Sequence, residues 1–252
     1  MTSTLRLIAS MLVLSGCAST EDHYGVSISV GPNGRVYVAA SSSRIGVLSS
    51  SGKLVARLEL DYPVGRIAVS PNGRLLAVTD LSSRELSVRV LDSRTGKETR
   101  NALSRAVVVS WLRDGSLLIM QYQDSRSHPL EGTIYLGERP MVVRGLDPPT
   151  PYPTRLNNSE LYDILLTAHG KIGGWEKNGY RIRNFTTGAV SAPIWDGGRA
   201  IDPDTGKLWI LHDPHRKLMY SLGYLSKDLK TYTEVLSSSR FDALVRSLRR
   251  QE

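Results

Sequence analysis

Two histidines and an aspartate fall within four residues at His212-Asp213-Pro214-His215. Imidazole and carboxylate are both donors that zinc accepts, so His212, Asp213 and His215 are the candidate metal ligands. A catalytic zinc takes three protein ligands in defined geometry, whereas Pro214 restricts the backbone between these; exposed histidines holding no metal are the alternative. Asp80, Asp124, Glu176 and Asp213 form a second set, carboxylates that could converge at one end of a repeat fold. No Gly-x-Ser-x-Gly elbow, Walker loop or EF-hand loop occurs in the chain. No catalytic residue and no cofactor is assigned from the sequence.

The remaining chemical residue is the single cysteine, Cys17. Arg6 precedes an apolar run, Leu7-Ile8-Ala9-Ser10-Met11-Leu12-Val13-Leu14, that is followed by small residues. This is the layout of an export signal, and the run is too short to span a bilayer. Leu14-Ser15-Gly16-Cys17 resembles the lipobox of bacterial lipoproteins. That resemblance implies cleavage after residue 16, acylation of Cys17 and, with Ala18 next, an outer-membrane lipoprotein facing the periplasm. More than one acyl chain anchors stably. Residues 17–24 then form the lipidated tether, reaching at most about 25 Å.

These groups need a scaffold, and its repeat is plainest at Ser70-Pro71-Asn72-Gly73-Arg74, a polar turn between the apolar runs Ile67–Val69 and Leu75–Val78. Similar turns stand at Gly34, Gly115, Gly170 and Gly206. Each is followed by a later turn, at Gly52, Gly96, Gly137, Gly188 and 226–228. The spacing predicts four strands per unit at a pitch of about forty residues, the size of a propeller blade. Ser-Pro-Asn-Gly-Arg-apolar resembles the β-propeller repeats of the TolB and WD type. The resulting expectation is an all-β propeller of five four-stranded blades over residues 25–236, closed either by its own strands or by one swapped between the ends.

Residues 237–252 change period. Phe241, Leu244, Val245 and Leu248 recur at helical spacing, with Ser239 as the expected cap and Arg240, Arg246, Arg249 and Arg250 on the other surface. This basic amphipathic helix either docks on the last blade or lies on anionic lipid.

Blade topology sorts the loops. The glycine turns share one face, and the longer connections emerge opposite. Asp124, Arg126, His128, Tyr152, Arg155 and Arg216 lie in these longer connections and are the candidate partner-binding residues, with four prolines stiffening residues 147–158. The formal charge of +8 favours anionic partners, and loss of Arg6 with the signal leaves +7. Export and the lack of a basic, aromatic-bearing module argue against nucleic acid. The expected function is a lipid-anchored envelope lipoprotein whose propeller binds a protein partner. A propeller hydrolase and an immunity lipoprotein against a membrane-acting toxin are the alternatives.

Overall fold

In a computed structural model of the chain, the described residues are 25–82, 86–104, 106–111, 117–121, 131–136, 139–143, 171–176, 179–184, 188–191, 196–213, 219–226 and 228–250. They are mostly β, with one helix at the C-terminal end. Strands β1 (Ser27–Val30), β2 (Val36–Ala39), β3 (Ser42–Leu48) and the first half of β4 (Leu54–Val69) form an antiparallel meander. The second half of β4 opens the next meander, continued by β5 (Leu75–Asp80), β6 (Ser87–Asp92) and β7 (Glu98–Ser104). One long strand is therefore the outer edge of the first unit and the inner edge of the second, and the two units share a seven-stranded sheet.

A third meander runs through β8 (Ala106–Trp111), β9 (Leu117–Gln121), β10 (Glu131–Leu136) and β11 (Arg139–Val143). Only a strand pair of the fourth unit is described, β12 (Lys171–Glu176) and β13 (Gly179–Asn184). The last unit is complete: β14 (Asp196–Ile201), β15 (Leu208–His212), β16 (Ser221–Leu225) and β17 (Tyr232–Leu236). The helix α1 spans Ser238–Arg249.

The inner strands read as apolar runs because both faces of each sheet are covered, and alternate residues go to opposite sides. On β2, Val36 and Val38 point into one cluster while Tyr37 and Ala39 point into another. Leu76 and Val78 of β5 join the second cluster, and Ala77 joins a third with Ala106 and Val108 of β8. On β15, Leu208 and Ile210 meet Ile182 of the fourth unit, whereas Trp209 and Leu211 turn toward β1 and β2. Each cluster is thus the slab between two neighbouring units, in the order fourth, last, first, second, third.

Backbone hydrogen bonds repeat this order. Ile67 and Val69 of β4 donate to the hydroxyls of Ser27 and Ser29 on β1, each 40 residues away, at 3.2 and 2.9 Å. Val108 of β8 donates to Thr79 Oγ1 at 3.0 Å, and the Trp111 indole N–H donates to the Ala68 carbonyl at 2.9 Å. The forty-residue pitch read from the turns is therefore visible as a physical repeat.

The two ends of the described chain meet in the slab between the first and last units. No strand is exchanged there, since the last unit uses its own four strands. The seam is covered by α1, whose Phe241, Val245 and Leu248 are buried with Val36, Val38, Leu48 and Leu222. Arg249 Nε donates to the Ala40 carbonyl at 3.0 Å and Arg44 donates to the Arg250 carbonyl. The helix cap is Ser237 rather than the expected Ser239, and its side chain makes no capping bond. The docked form of the helix is the one observed, and its apolar face is committed to protein.

Leu248→Ala should cost about 2–5 kcal/mol, the range for deleting a fully buried leucine. Urea denaturation should show that loss, and a change near zero would mean that α1 does not hold the seam.

Candidate functional site

Each short turn is built from a few side chains that satisfy its backbone. In Ser70-Pro71-Asn72-Gly73-Arg74-Leu75 the Ser70 hydroxyl donates to Asn72 Oδ1 at 2.8 Å and accepts from Leu75 N–H at 2.9 Å. Gly73 sits at φ +70, and a Cβ there would lie 2.9 Å from Pro32. The same Pro-Asn-Gly-Arg sequence folds differently in the first unit, with both Asn33 and Gly34 at positive φ. Gly31 holds the place of Ser70, because a Cβ at Gly31 would meet Val69 at 2.7 Å. With no hydroxyl there, the Asn33 N–H turns outward and donates to Asp204 in the last unit at 2.7 Å.

A second turn type uses Asp-x-x-Thr-Gly-Lys. Asp92 Oδ1 accepts from the backbone N–H groups of Arg94 and Thr95 at 3.0 and 2.8 Å, and Asp202 Oδ1 does the same for Asp204 and Thr205 at 2.9 and 3.2 Å. These bonds to the ionised form, the Thr95 N–H first, hold the Asp92 carboxyl below its ordinary pKa. The turn without glycine places Leu229 at φ +62 with its side chain buried. Leu229→Gly should still destabilise, because relief of about 1 kcal/mol of backbone strain is smaller than the packing lost on removing a buried leucine. Thermal unfolding measures the sign.

The opposite face carries the longer connections. Asp80, one of the four carboxylates that could converge, is 2% exposed and held by Arg89, with Nε at 2.9 Å and Nη2 at 2.8 Å, and by the Ser82 N–H at 2.8 Å. Arg89 also bonds Glu98 at 2.9 Å and stacks 4.4 Å from the Tyr62 ring centroid. Burial alone would raise the Asp80 pKa, but the bonds from Ser82 and Arg89 outweigh it and the net direction is down. Asp80 is therefore a structural anion tying β5 to β6. Val88 and Val90 alternate with Arg89 along β6, which places Arg89 on one face, but its partners are set by strand pairing.

Tyr62 closes this cluster. It is 7% exposed, and its hydroxyl has no hydrogen-bond partner among the described residues. Burial is the first cause pushing its phenol up to about 12.

His212 ends β15, its ring 4.9 Å from that of Tyr232, whose hydroxyl lies 3.0 Å from Ser221 Oγ. Burial likewise pushes the Tyr232 phenol up to about 12. Asp213 follows and is buried. Glu176 ends β12 beside the connection to β13. Among the described residues no three His, Cys, Asp or Glu side chains gather as a metal site. His215, Asp124, Arg126, His128, Tyr152, Arg155, Arg216 and Cys17 lie outside the described residues.

The chain enters the described body on this side, where the Ser41 hydroxyl, between β2 and β3, donates to the Gly25 carbonyl at 3.0 Å. Val235 and Leu236, at the end of β17, instead approach Gly52 in the turn between β3 and β4. The chain returns to the long-connection side only at the far end of α1, beside Ala40 and Arg44.

No family model and no curated protein matches the chain. Among solved structures it is similar to the RRP9 WD40 repeats, at 12% identity and a TM-score of 0.44, over 85% of this chain and 81% of that one. It is also similar to a nidogen/laminin complex chain, at 12% identity and a TM-score of 0.40, over 82% and 78%. Against the dihydro-heme d1 dehydrogenase NirN, identity is 15% and the TM-score 0.38, over 85% of this chain and 48% of that one. The chain thus spans about half the length of that dehydrogenase.

Tyr62→Phe should change stability by less than about 0.5 kcal/mol, or increase it, because the hydroxyl removed has no partner to lose. It should also remove one late step from a tyrosinate absorbance titration. Both raised phenols are neutral in the fold, so stability falls as pH rises from 10 through about 12. Asp80 has the opposite sign. Its depressed pKa contributes stability above the ordinary carboxylate value of 3.8, lost as pH falls through the folded value. Asp80→Asn should therefore lower stability at neutral pH and flatten its decline in acid, as measured by urea midpoints across pH.

Proposed function

We propose that this chain is a lipid-anchored envelope lipoprotein whose five-bladed β-propeller acts as a protein-interaction module. The observation that carries the scaffold part is the run of slabs between consecutive units, with the first unit packed beside the last. An open row of sheets would leave its first and last members apart; their contact is what a ring requires. Five blades follow from the forty-residue pitch of the turns.

Such a ring is stiff, since inner strands are covered on both faces and consecutive units are stitched by hydrogen bonds such as Val69 to Ser29. Loops displayed on it lose little entropy on binding, which suits protein recognition. Candidate contacts are Asp124, Arg126, His128, Tyr152, Arg155 and Arg216. Acylation at Cys17, in the lipobox-like Leu14-Ser15-Gly16-Cys17, keeps the module at the outer membrane on the periplasmic side. With its apolar face buried, α1 touches anionic lipid only through exposed arginines such as Arg246 and Arg250, an electrostatic contact sensitive to salt.

Labelled palmitate should enter the protein in cells, and Cys17→Ser should abolish incorporation; equal labelling of the variant would refute the anchor. Affinity capture from the same membranes should retain a specific protein. Recovery of none would count against the interaction module.

A further inference from the structure

The residue after the left-handed glycine of these turns is basic again and again: Gly34-Arg35, Gly52-Lys53, Gly73-Arg74, Gly96-Lys97 and Gly206-Lys207. In a meander, the first and third connections of every unit emerge at the same end, so the repeat collects these cations on one face. Contacts between turns hold that face together. Ser93 Oγ donates to the Gly73 carbonyl at 2.5 Å within the second unit, Gly73 abuts Pro32 of the first, and Asn33 reaches Asp204 of the last.

Arg35, Lys53, Arg74, Arg94, Lys97 and Lys230 are all exposed there, and none makes an ion pair among the described residues. The carboxylates on the same face are fewer and bonded into the turns: Asp202 is buried, Asp92 half-buried, and Asp204 and Asp228 are exposed. Asp92, Asp202 and Asp228 each accept backbone N–H groups of their own turns, and Asp204 accepts that of Asn33. In the described turns six exposed cations thus stand against two exposed carboxylates, so their outward tips are mainly cationic.

We propose that this turn face is a docking surface for an acidic protein. The chain enters at Gly25, at the opposite end of β1 from the turns. Were Cys17 acylated as proposed, the chain would reach the bilayer from the side of the body opposite the turns, which disfavours that bilayer's headgroups as the occupant. No tyrosine, tryptophan or phenylalanine is exposed in the described turns, so the face lacks the stacking platforms that sugars and nucleobases use. Complementary carboxylates on a folded or extended protein fit what is left.

This identifies the partner class within the interaction reading and shifts contact from the long loops to the turns. The mature chain should bind a synthetic poly-glutamate peptide in a titration at low ionic strength, with affinity falling steeply toward physiological salt. Arg35→Gln, Arg74→Gln and Lys97→Gln together should weaken binding about tenfold or more. The same number of neutralised charges on α1, at Arg240, Arg246 and Arg250, should leave it within about twofold, and matched thermal unfolding should show that both variants fold. Equal losses in the two triple variants, or stronger binding of dextran sulfate than of the peptide, would overturn the proposal. A membrane partner retained equally by wild type and the turn-face variant would also overturn it while leaving the interaction module standing.

Discussion

Burial of both faces of the inner strands is the constraint on which the rest of the structure depends. A sheet covered on one side can end in water, but one with Val36 and Val38 on one side and Tyr37 and Ala39 on the other needs a neighbour on each. The requirement passes between the described units, and the first unit meets it on one side by packing against the last. α1 follows from the same need, since β3 and β16 still present apolar surface at the seam and Phe241, Val245 and Leu248 cover it. The hydroxyls of Ser27, Ser29 and Thr79 satisfy inner-strand N–H groups that no strand pairs, so cohesion between units does not leave donors orphaned.

This architecture separates two faces with different chemistry. On one, tight turns recur with glycine at positive φ, carboxylates bonded to turn N–H groups, and exposed cations. On the other, the chain enters, the helix ends, and the polar groups include buried Asp80 paired with half-buried Arg89, against Tyr62. Asp80, one of the carboxylates whose convergence the topology permits, illustrates the difference between position and availability. Asp80 stands at the expected strand end, yet its oxygens are consumed by a guanidinium and a backbone N–H. An anion held this way gives rigidity, with both oxygens already accepting bonds from neighbouring residues.

Much of this was legible in the residues. Turn signals with glycine, apolar segments and a forty-residue pitch predicted the strands of the first, second and last units, and helical spacing predicted α1 with its buried residues. Those features are local: a left-handed glycine, a proline-initiated turn and alternation along a strand each act within a few residues. Even the basic residues after Gly34, Gly52, Gly73, Gly96 and Gly206 were in plain view, although their meaning was not, because charges spread along a sequence become a surface only when the topology brings the turns together.

Sequence by itself determined the all-β character, the repeat, the terminal helix and the lipobox-like segment, because each is written in neighbouring residues. Tertiary structure decided how identical words are used. Pro-Asn-Gly-Arg closes on itself where Ser70 precedes it, but reaches across to Asp204 where Val69 leaves room only for Gly31. It also decided that the apolar side of α1 belongs to the seam and that Asp80 belongs to Arg89. These outcomes depend on contacts between residues distant in the chain, whose partners no local pattern specifies.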